Sequence, residues 1–110
     1  MSTIKNRVQL IGNVGQEPSI TTLEDGKKLA RVSLATNEHY NNKKGEKQTN
    51  TSWHTLIAWG KKADIIEKYV TTGKEVAVEG KLSSRSYEAK DGVKRYVTEI
   101  TVSEILLLGA

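Results

Sequence analysis

The sequence predicts an all-β protein, a five-stranded barrel with one short helix between the third and fourth strands. Three observations lead there. Apolar and polar residues alternate with the period of two that half-buried strands require, in short stretches separated by turn signals. Only one segment repeats apolar residues at helical spacing, and it follows the third of those stretches. At 110 residues the chain is the size of one domain, read as residues 1–110, and too short for two.

Taken in order, Val8, Leu10, Gly12 and Val14 alternate with Arg7, Gln9, Ile11 and Asn13 to give the first strand. Gly15-Gln-Glu-Pro18 ends it, because proline cannot donate to a ladder. Glu24-Asp25-Gly26-Lys27 is a turn, Asp-Gly being typical of tight hairpins. The second strand puts Ala30, Val32 and Leu34 on one side, and Arg31, Ser33 and Ala35 on the other. Residues 38–50 are polar and almost free of aliphatic side chains, which reads as a long functional loop. The third strand, residues 51–59, places Trp53, Thr55, Ile57 and Trp59 on one face and His54, Leu56 and Ala58 on the other.

Ala63, Ile66 and Val70 then recur at i, i+3, i+7, with Asp64 and Glu67 on the polar side and Gly73 as the stop, which defines the helix. Residues 75–82 form the fourth strand, and a separate short strand is expected around residues 86–89. Lys90-Asp91-Gly92 turns the chain into the last strand, from about Lys94. Its alternation changes phase between Ile100 and Val102 on one side and Ile105 and Leu107 on the other, which predicts a bulge or a bend. Five strands with the helix between the third and fourth are the OB-fold arrangement, a fold that binds oligonucleotides and oligosaccharides.

Composition narrows the functions open to such a barrel. Lys and Arg number 17 against 13 Asp and Glu, a net charge of +4 that suits a polyanionic partner. Phe is absent, so the core must come from Val, Ile, Leu and Ala, and the aromatics are 2 Trp and 4 Tyr. With no Cys there are no disulfides or thiolate metal sites. No stretch approaches the roughly 18 apolar residues of a membrane span, and Met1-Ser-Thr-Ile-Lys-Asn-Arg lacks the apolar block of a signal peptide. A cytoplasmic location is expected. His39 and His54 lack metal-ligand spacing, no carboxylates pair for acid–base work, and no phosphate loop is present. Neither an enzyme nor a cofactor or metal is expected.

Binding a single nucleic-acid strand needs flat aromatic surfaces for bases and cations for phosphates. Trp53 and Trp59 on one strand face meet the first need, with Tyr40 and Tyr87 as further candidates. Arg7, Lys43, Lys44, Lys61, Arg85, Lys94 and Arg95 are the candidates for the second. The alternative is that the Trp pair is buried against the helix or a partner subunit. Tyr69, at the helix end, is read as core, and His54 as a hydrogen-bonded packing residue. Another OB-fold role, as a replication-restart or RNA-binding module, stays open at this point.

Several blocks go further. Asn6-Arg-Val-Gln-Leu-Ile-Gly-Asn-Val-Gly-Gln-Glu-Pro18, Ala35-Thr36 and Thr51-Ser-Trp-His-Thr-Leu-Ile-Ala-Trp-Gly-Lys61 closely resemble the bacterial single-stranded DNA-binding protein family. Val78-Glu-Gly-Lys-Leu82 and Arg95-Tyr-Val-Thr-Glu99 continue the match in register, so the resemblance runs from about Lys5 to Leu107. It implies a nucleoid-associated protein that coats single-stranded DNA during replication, recombination and repair. It further implies a homotetramer, base stacking on Trp53 and on Trp59 (Phe in many relatives), and stacking on Tyr40 and Tyr87, frequently Trp in relatives. Thr55 stands where some relatives have a basic residue, so one phosphate contact is expected to be missing. His54 matches a histidine at a subunit contact. Family members continue into a flexible tail with an acidic tip, whereas this sequence ends at Leu108-Gly109-Ala110, so tail-mediated partners are not expected of it.

Overall fold

A computed structural model describes residues 4–109; Met1–Thr3, part of the N-terminal segment read above, and Ala110 lie outside the described residues. A single 3-10 turn, Ile4–Asn6, leads into β1 (Val8–Val14), β2 (Ser19–Thr22), β3 (Lys28–Asn41) and β4 (Lys47–Trp59). Helix α1 (Lys61–Tyr69) follows, then β5 (Glu75–Glu88) and β6 (Lys94–Leu107). The strands lie in the order β1-β5-β6-β4-β3-β2, and a further pairing of β1 with β3 closes the ring. The barrel therefore has the five strands expected, with β2 added on the outer edge of β3. Setting β2 aside, α1 stands between the third and fourth barrel strands. All ladders are antiparallel except β4 with β6, where Leu56 and Ile57 run alongside Ile100 and Thr101.

The core follows the alternation. Val14, Ala30, Val32, Leu34, Leu56, Ala58, Val76, Val78, Ile100 and Val102 point into the barrel, and Ala63, Ile66 and Val70 from the helix segment cap its end. The phase change in β6 is a bulge: Glu79 pairs with Glu104 but Gly80 with Val102, leaving Ser103 as the extra residue. Its hydroxyl donates to the Glu79 carbonyl, 3.0 Å away.

Two glycines permit the closure. A Cβ at Gly12 would run into the Ala35 carbonyl, and one at Gly80 into the Thr101 carbonyl. At both points one strand's backbone lies directly on another's, and only glycine leaves the room.

Three expectations need correction. The polar segment 38–50 is not a loop. β3 runs on to Asn41 and β4 starts at Lys47, in register from Asn41 with Lys47 to Asn37 with Thr51. Only residues 42–46 turn the chain. The alternation is absent there because this part of the hairpin projects beyond the core and both its faces meet solvent. The two pieces at 75–82 and 86–89 are one continuous strand, paired with β6 from end to end. Tyr69 is 59% exposed rather than core, because Val70, the next residue, takes the buried position.

The three hairpins close by the same device. In each, a glycine with φ near +80° donates to the carbonyl three residues back: Gly26 to Leu23, Gly45 to Asn42, Gly92 to Ala89. Asp25, Asn42 and Asp91 steady the turns by accepting from the Lys27, Lys44 and Val93 amides. Helix α1 is held to β3 by Lys28, whose ammonium lies 2.6 Å from Glu67 and 3.5 Å from Asp64.

Two outcomes are expected. Gly80→Ala should cost about 1–3 kcal/mol in denaturant unfolding, as for other overpacked sites; parental stability would contradict the close approach. The Glu67 hydrogen bond, more than its charge, raises Lys28 above the ordinary lysine value of 10.5. A raised value means that the pair stabilises at neutral pH and stops doing so as pH climbs past it. Lys28→Met should therefore be less stable than the parent at pH 7, with the gap closing in strongly alkaline buffer. A gap independent of pH would contradict this.

Candidate nucleic-acid interface

The β3–β4 register decides which residues share a face. Leu29 pairs with Trp59, Arg31 with Ile57, Ser33 with Thr55 and Ala35 with Trp53, and these point outward. Leu34 with His54, Val32 with Leu56, and Ala30 with Ala58 take the other side. Trp53 is 63% exposed and Trp59 46%, whereas Leu56 and Ala58 are fully buried. The indoles are therefore not core, and α1 does not cover them. Six residues of strand separate the pair by about 20 Å, with Ile57 buried between them.

Each indole has a neighbour that fixes its place. Trp53 lies against Gly15, where a Cβ would run into the Cζ3 and Cη2 edge of the ring. Trp59 lines a cleft with Leu23, Asp25, Lys27 and Gly60 at the β2–β3 turn. The Gly-Asn-x-Gly-x-Glu-Pro block thus acquires physical content. Gly12 admits the Ala35 carbonyl, Gly15 admits the indole, and the Asn13 amide donates to the Gly73 carbonyl. Glu17 accepts from the Thr72 amide and hydroxyl.

A second hairpin meets this face from the side. Arg85 pairs across the ladder with Val97 and Tyr87 with Arg95, so all four share one face with Glu99. Arg31 and Thr55 from the first hairpin and Arg85, Tyr87, Val97 and Glu99 from the second line a common cleft. Tyr87, 43% exposed, therefore borders the Trp face. Arg85 stands 6.0 Å from the centre of its ring. Glu99, chiefly by hydrogen bonding, raises Arg85 above the ordinary arginine value, so the guanidinium stays charged.

The remaining candidates divide. Tyr40 is exposed but pairs with Gln48, on the reverse face of the β3–β4 hairpin from Trp53. Lys43 and Lys44 occupy the tip of that hairpin and Lys61 starts α1 next to Trp59; none has an ion pair among the described residues. Lys61 and Lys62 oppose the helix dipole, which favours anions at that end. Lys94 pairs with Glu88 and so faces away from Tyr87, together with the exposed Tyr96. Arg95 is on the Tyr87 side and bonds to Asp91 at 3.1 Å. Arg7 pairs with Glu79, which lines a different groove with Ile11 and Leu106. His54 is half-buried, with Nε2 2.9 Å from the Thr36 hydroxyl.

Sequence reasoning left Gly15, Lys27, Arg31 and Glu99 out of the site. Arg31 was visible in the strand alternation as an outward residue, but its neighbours Thr55 and Arg85 come from other strands. Among the described residues no cluster of His, Asp and Glu could hold a metal, and no helix is long and apolar enough to cross a membrane. Gly15→Ala should push the Trp53 ring outward. In a Trp59→Tyr background this should appear as red-shifted, more quenchable emission; an unchanged spectrum would contradict the contact.

The model of the single-strand binding protein family matches residues 5–108. The chain is 40% identical over 106 residues to single-stranded DNA-binding protein 1 of Chlorobaculum tepidum, covering 96% of this chain and 65% of that protein. It is 40% identical over 105 residues to single-stranded DNA-binding protein 1 of Xylella fastidiosa, covering 94% of this chain and 77% of that one. Among solved structures, the SSB of Plasmodium falciparum in complex with ssDNA superposes with a TM-score of 0.88 at 33% identity, over 99% of both chains. A deletion mutant of the single-stranded DNA binding protein from Thermus aquaticus shares the fold, with a TM-score of 0.81 at 24% identity over 94% of this chain and 50% of that one. The barrel, its exposed Trp face and these matches agree: the chain belongs to the single-strand binding protein family.

Proposed function

We propose that this protein binds single-stranded DNA without sequence preference and, as a non-enzymatic coat, protects it during replication, recombination and repair in the cytoplasm, at the nucleoid. One observation carries the reading: two indoles stand outward on a single strand, over a core that does not use them. Bases stack on Trp53, Trp59 and Tyr87, and every base has a π-face, so stacking is indifferent to sequence. Lys43, Lys44 and Lys61, unpaired among the described residues, meet phosphates along the rims, with Arg85 and Arg95 beside Tyr87. Tyr40 is reached only by a strand that passes round the edge of the β3–β4 hairpin, which favours wrapping over a straight path. Arg7 and Lys94, on other faces, contact only a strand that continues round the barrel.

The same reading includes a homotetramer, with His54 at a subunit contact. Its support is the outward face of β1, β5 and β6, where Ile11 and Leu106 are each 62% exposed. Burying them against another copy removes apolar surface from water, worth about 25 cal/mol per Å².

The test is a Trp fluorescence titration with oligo-dT across a range of salt, with duplex DNA and RNA as competitors. Strong quenching is expected, reversed by neither competitor, with affinity falling at about −0.7 in log–log slope per phosphate neutralised. Trp53→Ala should cost about 1–3 kcal/mol for each base it stacks. A folded protein that shows no quenching, or salt-independent affinity, would overturn the reading; displacement by RNA would redirect it to an RNA ligand.

A further inference from the structure

The cleft where the two hairpins meet holds two guanidinium groups on one carboxylate. Glu99 is almost completely buried, while the Arg31 and Arg85 side chains are 49% and 50% exposed. Two cations and one anion leave an excess of one positive charge at a point between the Trp platforms and Tyr87.

The two arginines are not equivalent. Arg85 donates from Nε and Nη2 to the Glu99 carboxylate at 3.1 and 3.4 Å. Arg31 approaches the same carboxylate only to 3.6 Å, an ion pair longer than a hydrogen bond, and its side chain has no hydrogen bond among the described residues. A guanidinium carries five N–H donors in a planar fork suited to phosphate. Those of Arg31 are uncommitted to protein. Its position matters as much: Arg31 pairs with Ile57, which lies between Trp53 and Trp59 on β4, and the other residue of that face between the two indoles is the uncharged Thr55. A buried carboxylate alone on this face would repel a phosphate, and the pair of arginines reverses the sign.

We propose that Arg31 is the phosphate-binding residue at the centre of the aromatic face, with Glu99 and Arg85 as its positioning partners. A backbone phosphate is taken by the Arg31 fork while flanking bases stack on the two indoles. Arg31 thereby supplies the positive charge that Thr55 does not. This inference rests on the single-stranded DNA reading above and adds a residue to it.

The test compares oligo-dT binding by the parent, Arg31→Ala, Arg31→Gln and the double variant Arg31→Ala/Thr55→Arg, each titrated at several salt concentrations. Both single variants should bind severalfold more weakly at low salt, with a log–log salt slope smaller by about 0.7, one phosphate's share. Trp quenching at saturation should stay parental, because the stacking platforms are intact. Thr55 lines the same cleft, so Thr55→Arg should restore the slope. Arg31→Gln keeps most of the side chain, and serves as the readout should Arg31→Ala fail to fold. A parental slope in a folded single variant would overturn the proposal and leave the DNA reading standing. A reduced slope that Thr55→Arg does not restore would also overturn it, making Arg31 a structural support. Absence of binding by the parent would sink the DNA reading itself, and this inference with it.

Discussion

The molecule depends on two backbone crossings. Gly12 lies over the Ala35 carbonyl and Gly80 over the Thr101 carbonyl, and a methyl group at either place would hold the strands apart. Because they approach, β1 pairs with β5 along its length and with β3 at its end, and the sheet closes on itself. Closure determines the rest. It commits one side of every strand to a small aliphatic core without Phe, and it brings the β3–β4 and β5–β6 hairpins side by side through the short β4–β6 ladder. The outward sides of those hairpins then form one surface, which carries both indoles, Tyr87 and the Arg31–Glu99–Arg85 cluster.

What the sequence made legible was whatever the core imposes locally. Ala30, Val32 and Leu34 are buried as their spacing requires, and Ala63, Ile66 and Val70 likewise. The phase slip in β6 is a bulge at Ser103. The indoles stand out because a strand with Leu56 and Ala58 inside has no internal use for Trp on its other side. Beyond the core this logic fails. The projecting part of the β3–β4 hairpin is solvated on both faces, so nothing in residues 38–50 alternates, and it reads as loop. β2 offers only a half-buried Ile20 among three exposed residues. Tyr69 adjoins Val70, and the helical spacing that buries Val70 turns its neighbour outward.

The candidate site was legible as a set of residue types but not as a surface. Which face a side chain occupies on a projecting hairpin depends on register, and register puts Tyr40 and Lys94 on reverse faces. Arg31 and Glu99 are 68 positions apart and acquire meaning only when β4 and β6 lie parallel. Gly15 is similar: it reads as a strand terminator, yet its missing side chain is where the Trp53 ring rests. Charge placement shows a further contrast. Arg7, Arg85 and Arg95 are tied to carboxylates, while the lysines at the hairpin tip and the helix start are left to solvent. Those three arginines shape the surface; the lysines, and Arg31 with its looser tie to Glu99, remain available to a polyanion.

Ultraviolet cross-linking of the intact protein to oligo-dT, with the linked residues identified by mass spectrometry, decides which side of the barrel the strand follows. Stacking on the outward aromatic face predicts adducts at Trp53, Trp59 and Tyr87, with Tyr96 and the Ile11–Leu106 face unlabelled. Adducts confined to Tyr96 or to that apolar face, with the indoles untouched, would contradict it and place the strand on another side of the barrel.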